Sequence, residues 1–374
     1  MDLKRSSNLI ARITKRALSL AGRMVMRCVP ECVLKWMLDS AMTSLNSRSS
    51  YFMSYWTRPK SAAKLFPAGY PMTPTPPFRA AIVVQGPLAL DDDFTLETLA
   101  WYRHAFPDSP LILSTWDDSP PDVLERACAL GVHVIASKTP EPRGPSNLNL
   151  QSFSTLQGIL KARELNATHV VKTRADQRIY SRAAITQLLT LQQAFPLRCG
   201  GGQKERIVAL SYTLRYAPYH LCDFLIFGQI DDMALFWSAP PDPRPMHADV
   251  IAIRDLKGAA VPEIILCSSF LNATGWNLKW TVSDSWNAYR ERFCVIDFET
   301  LDMYWAKGER LVEHRNRSYE PSVREMMGFL DWLALWQLGV PKDTDVDSIM
   351  DLPINPRSPE EFAQFAKRFV SKTQ

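Results

Sequence analysis

The sequence predicts an α/β fold: a mostly parallel sheet with helices on both faces, extended by helical appendages at the N- and C-termini. Two observations carry this. From residue 80 onward, short apolar runs alternate with stretches of helical periodicity, the pattern of strand–helix–strand units. Before them lies the breaker run Pro71-Met72-Thr73-Pro74-Thr75-Pro76-Pro77, which no helix can continue through. Size agrees: 374 residues, 46% hydrophobic and 22% charged, suit one large domain with appendages or two domains.

Ala80 to Val84 reads as the first strand, with a turn at Gln85-Gly86-Pro87. Thr95 to Phe106 has helical periodicity, and Leu111-Ile112-Leu113 is a second strand. A helix over Val123 to Leu130 is closed by Gly131, and Val132 to Ile135 is a third strand. Leu150 to Leu165 is a longer helix with Asn166 as its C-terminal cap. The run His169 to Thr173 is the next strand, and a helix begins near Ser181. Further strands fall at Ile207 to Tyr212, Leu221 to Phe227 and Phe293 to Ile296. Helices are expected at Asp231 to Trp237, Glu263 to Leu271, Met326 to Leu338 and Pro359 to Val370. The domains expected are an N-terminal segment (1–77), the sheet domain (78–310) and a C-terminal helical cap (311–374).

A net charge of +4 gives no argument for nucleic acid. The seven cysteines are scattered, and Cys28 and Cys32 lack zinc spacing, so free thiols in a reducing compartment are expected. No segment has the about 18 apolar residues of a membrane span. Near the N-terminus Lys4, Arg5, Arg12, Lys15, Arg16, Arg23 and Arg27 alternate with Leu9, Ile10, Ile13, Leu18 and Leu20. This basic amphipathic helix either attaches to an anionic membrane face or packs on its own domain with a solvated basic side. Trp36 and Trp56 favour the membrane, which places the chain peripherally on the inner, cytoplasmic face of the cytoplasmic membrane.

Right-handed crossovers bring the carboxyl ends of parallel strands to one rim, where α/β proteins bind ligands. Gln85, Gly86, Asp117 and Asp176 fall there. Asp176 stands among Lys172, Arg174 and Arg178, and such cations suit a ligand with phosphates. Asp176 could hold Mg²⁺ or Mn²⁺ through oxygen, or pair with a neighbouring arginine. Asp117 could accept hydrogen bonds from a base or ribose, or cap the helix near Pro121. Glu263 could act as a general base or as a charge at a helix N-terminus; Asp223 and Asp284 compete for the base role. The histidines form no metal-ligand set, and Gly200-Gly201-Gly202 lacks the Lys-Ser/Thr of a phosphate-binding loop.

Several motifs then occur in a telling order: Val83-Val84-Gln85-Gly86-Pro87, Leu111-Ile112-Leu113-Ser114-Thr115-Trp116, Asn149-Leu150-Gln151-Ser152, Lys172-Thr173-Arg174-Ala175-Asp176, Asp223-Phe224-Leu225-Ile226-Phe227-Gly228, and Pro262-Glu263 with Ser283-Asp284-Ser285-Trp286. Together, over about residues 80 to 305, they resemble the WavE-type lipopolysaccharide-biosynthesis family. The resemblance implies a glycosyltransferase with a GT-A-like nucleotide-binding sheet. It implies a nucleotide-diphosphate sugar as donor and a cell-envelope glycan or lipid-linked glycan as acceptor. Arg174 stands where the first acid of an Asp-x-Asp element would be, so metal dependence is left open. Two rivals remain: a nucleotidyltransferase on a similar sheet, and a non-catalytic, membrane-attached assembly protein.

Overall fold

In a computed structural model the described residues are 29–48, 57–64, 79–198, 201–244, 252–307, 325–341 and 346–352. The chain divides into two compact units, Met1–Pro59 and Lys60–Gln374. The first has one described helix, α1 (Glu31–Arg48), with Trp36 exposed. The basic stretch from Lys4 to Arg27, Trp56, the run Pro71–Pro77 and the expected helix Pro359–Val370 lie outside the described residues.

The second unit holds β1 (Ala80–Gln85), β2 (Leu111–Trp116), β3 (His133–Ser137), β4 (His169–Arg174), β5 (Gln177–Ile179), β6 (Ile207–Leu210), β7 (Ile226–Gln229), β8 (Phe293–Ile296) and β9 (Met303–Trp305). Its helices are α2 (Phe94–Ala105), α3 (Pro121–Ala129), α4 (Leu148–Glu164), α5 (Ala184–Ala194), α6 (Ile230–Phe236), α7 (Pro262–Ala273), α8 (Val282–Arg292) and α9 (Phe329–Leu338). Seven strands form one sheet in the order β3-β2-β1-β4-β7-β6-β8, and β5 pairs with β9 in a small second sheet.

β1 and β2 are buried along their whole length, as strands covered on both faces must be. Outermost β3 is partly exposed. Helix α4 lies close over β1: a Cβ on Gly158 would come within 2.4 Å of Val83. Asn166 adopts the left-handed conformation (φ 59°) expected of a residue that ends a helix.

The α/β class and the mostly parallel sheet hold, with one departure. β7 runs antiparallel to both β4 and β6. The segment between β6 and β7 contains no crossover helix, and without one a chain returns antiparallel. The strand expected over Leu221 to Phe227 begins only at Ile226; Leu221 to Leu225 is irregular yet buried. Helix α8 and the β5–β9 pair add to the expected elements. Helix α9 packs on α8, where the Trp332 indole donates to the Tyr289 carbonyl (3.0 Å).

Candidate functional site

The carboxyl ends of β1, β2, β3 and β4 share one rim. Gln85 pairs in register with Arg174, and the Ala175 amide donates to the Gln85 carbonyl (2.8 Å). Gln85 itself is buried, its side-chain amide donating to Ser154 Oγ (2.9 Å). Gly86 turns the chain away with φ +110°, and a Cβ there would meet nothing within 4 Å. The backbone at this turn therefore borders open space.

At the neighbouring end of β4, Arg174 and Asp176 form a two-pronged ion pair: Nε to Oδ1 at 2.9 Å and Nη2 to Oδ2 at 3.0 Å. The Trp305 indole also donates to Oδ2 (3.1 Å). Trp305 reaches it because β9 pairs with β5, which follows Asp176 directly. The guanidinium lies 5.7 and 5.8 Å from the Phe224 and Trp305 rings. Burial would raise the Asp176 carboxyl, but Arg174 and the indole N–H outweigh it and hold it below the usual range. Arg174 keeps 26% of its side-chain surface exposed, and its Nη1 has no partner among the described residues. It can therefore meet an anion without leaving Asp176.

This geometry tests the expected metal role of Asp176. A hard divalent cation needs several oxygen ligands. Both oxygens of Asp176 already accept N–H groups, and the partner is itself a cation. The residues here do not fit Mg²⁺ or Mn²⁺, and among the described residues no three His, Cys, Asp or Glu side chains gather for a metal.

Beneath the pair lies Lys172, fully buried. Its ammonium donates to the Asp223 carbonyl (2.6 Å) and sits 4.6 Å above the Trp237 ring. Burial lowers it to about 8, against the pull of Asp223. Lys172 pairs with Ile226 of antiparallel β7, so the segment before β7 arrives at the rim and carries Asp223 with it. Asp223 is buried; Oδ2 accepts from the Gln151 amide of α4, while Oδ1 has no partner among the described residues. Glu263 enters from the first turn of α7. Burial, reinforced by the Asp223 charge, pushes its carboxyl up to about 8, with Lys172 and Arg174 pulling back.

The remaining expected residues lie elsewhere or differently. Asp117 is exposed just past β2; α3 starts at a Pro120 cap with no side-chain bond, so Asp117 does not cap it. Arg178, expected among the phosphate cations, is fully buried instead. It donates to Thr98 Oγ1 (2.9 Å), Phe94 O (3.1 Å) and Lys60 O (2.7 Å), and lies over the Phe94 ring. It ties α2 to β5 rather than facing the rim. Asp284, a competing base, accepts from the Tyr219 hydroxyl, the Trp276 indole and the Lys279 amide. Such a web suits an anchor, not a free base. Gln151, Phe224 and Trp305 join the site without having been singled out by sequence reasoning. Gln151 and Phe224 sit inside motifs quoted above, while Trp305 carries no local signal.

Fold and site together define an α/β protein with a group of charged, part-buried side chains where its parallel strands end. Residues 80–259 match the WavE lipopolysaccharide synthesis family, the family that the sequence resembles. No curated protein matches the chain. Among solved structures, a cytidylyltransferase from Leptospira borgpetersenii overlaps 73% of this chain and 97% of its own, with 12% identity and a TM-score of 0.35. Glucosyl-3-phosphoglycerate synthase from Mycobacterium tuberculosis, with Mn²⁺ and UDP, overlaps 60% and 87% at 16% identity and a TM-score of 0.29. The mannosyltransferase PcManGT from Pyrobaculum calidifontis, with GDP-Man and Mn²⁺, overlaps 83% and 93% at 12% identity and a TM-score of 0.27. Likeness this slight carries no functional argument.

Proposed function

We propose that the protein is a glycosyltransferase moving a sugar from a nucleotide-diphosphate donor to a lipopolysaccharide or capsule-type glycan. The observation that carries the reading is the Arg174 guanidinium, held by Asp176 at the carboxyl end of β4 beside the open turn at Gly86. The WavE match over residues 80–259 supports the cell-envelope acceptor.

In this reading the donor lies across Gln85, Gly86, Asp117 and Arg174. The guanidinium takes the leaving diphosphate, since fixed cations stabilise charge as it develops. Lys172 adds positive potential from below. Glu263 removes the proton of the acceptor hydroxyl. The acceptor oxygen bonds to the sugar's anomeric carbon, that carbon's bond to the phosphate oxygen breaks, and the electron pair leaves with the nucleoside diphosphate. The basic N-terminal stretch would keep the protein at the anionic inner face of the membrane, near a lipid-linked acceptor; among the described residues no helix is long and apolar enough to cross it.

Product analysis tests the reading. A glycosyltransferase releases nucleoside diphosphate from a nucleotide sugar. Pyrophosphate released from a nucleoside triphosphate would instead mark a nucleotidyltransferase and sink it.

A further inference from the structure

Beside Arg174 lies a row of aromatic rings, Trp305, Phe224 and Tyr212. The sheet explains the row. β4 and β6 both run antiparallel to β7, which lies between them. The carboxyl ends of β4 and β6 and the start of β7 therefore share one rim. Arg174 ends β4, Phe224 stands two residues before β7, and Tyr212 stands two residues past β6. The contacts repeat this order. The Arg174 guanidinium is 5.7 Å from the Phe224 ring and 5.8 Å from the Trp305 ring. Phe224 meets Trp305 at 4.7 Å with 53° between the planes, and stacks on Tyr212 at 4.9 Å with 22° between them. Trp305 is further fixed by its indole N–H, which donates to Asp176 (3.1 Å). A core cluster would bury all of these rings. Here Phe224 is buried, 8% exposed, while Tyr212 and Trp305 on either side of it are only half-buried.

Rings of this kind beside a cation suit either a flat nucleobase or the C–H face of a sugar ring. Strand order decides between them. From Arg174 the open turn at Gly86 and then Asp117 lie toward β1 and β2, whereas the aromatic row lies the other way, toward β7 and β6. In a nucleotide sugar the diphosphate separates the nucleoside from the sugar. With the diphosphate on Arg174 and the nucleoside over Gly86 and Asp117, the sugar falls on the aromatic side. We propose that Tyr212, Phe224 and Trp305 form the saccharide subsite, where the transferred pyranose lays an unbroken C–H face against the half-buried Tyr212 and Trp305 rings. Phe224 backs both rings and holds them in place. The subsite rests on the reading of the donor as a nucleotide sugar.

The experiment is titration calorimetry of the full chain with UDP-glucose, UDP-galactose and GDP-mannose, each beside its own nucleoside diphosphate. Tyr212→Leu keeps apolar bulk over Phe224 but removes the ring. It should weaken the nucleotide sugar that binds by about fivefold, the scale of a lost aromatic contact, and leave the affinity for the bare nucleoside diphosphate unchanged. Tyr212→Phe, which keeps the ring, should restore the wild-type affinity for both. Equal weakening of the two ligands in Tyr212→Leu would put the base on the rings and overturn the proposal, as would wild-type affinity for both. Tyr212→Met serves the same comparison if the leucine variant does not fold. A sugar-selective loss in a protein that releases no nucleoside diphosphate refutes the transfer reading and keeps the subsite. Release without a sugar-selective loss does the reverse, and a chain that binds none of these nucleotide sugars removes both.

Discussion

The ion pair with Arg174 is the arrangement present at Asp176, of the two expected there, a metal ligand or a partner of a neighbouring arginine. In the proposed function the carboxylate orients and the guanidinium binds, because two guanidinium N–H donors and an indole already occupy the acid. Arg174→Met should therefore weaken nucleoside diphosphate binding about tenfold or more, the scale of a lost charge-assisted bond. Asp176→Asn should weaken it less, since the cation remains but loses its holder; titration calorimetry ranks the two. Arg178 makes the opposite case. Its guanidinium serves buried acceptors on α2 and the segment at Lys60, so Arg178→Met should cost about 2–4 kcal/mol of stability and leave nucleotide affinity unchanged. Urea unfolding beside the same titration checks both halves.

Among the elements, those written in local pattern were legible. β1, β2 and β4 each hold a short apolar run (residues 80–84, 111–113 and 170–171), and two of the helices between them carry stop signals, Gly131 and Asn166. That placed Gln85, Asp117, Arg174 and Asp176 at strand ends from sequence alone. Asp223 was visible as an acid but not as a neighbour of Lys172, because its place depends on β7 running antiparallel. The one signal for it in the sequence is the absence of a crossover helix between the strands expected at 207–212 and 221–227. Trp305 depends on β9 pairing with β5 across well over a hundred residues, which local pattern cannot carry. Packing of α4 on β1 gives a test at this scale. Gly158→Val would drive a branched side chain into Val83, which lies only 2.4 Å from where a Cβ at this position would sit. Overpacking of this kind costs about 1–3 kcal/mol. A fall in the urea midpoint without a change in slope is the expected result.

Across the whole molecule, the rim couples charge to pH in two windows of opposite sign. Glu263 is pushed up to about 8, so it destabilises the fold as pH rises toward that value. Lys172 is lowered to about 8 from 10.5, so the unfolded chain binds the extra proton between those values. Stability there should rise with pH, and Lys172→Met should remove that rise; thermal unfolding of both proteins above pH 8 reads it. The five described cysteines, Cys32, Cys128, Cys222, Cys267 and Cys294, are all unbridged, so these scans can be run with reductant present.

We propose that the rim binds a nucleotide-diphosphate sugar through Arg174 rather than through a divalent cation held by Asp176. Titration calorimetry of the full chain against a panel of nucleotide sugars, in chelator and then with Mn²⁺, tests it directly. At least one nucleotide sugar should bind in chelator, Mn²⁺ should change its affinity little, and Arg174→Met should weaken that binding about tenfold or more. Binding that appears only with Mn²⁺, or no binding to any nucleotide sugar under either condition, would contradict it.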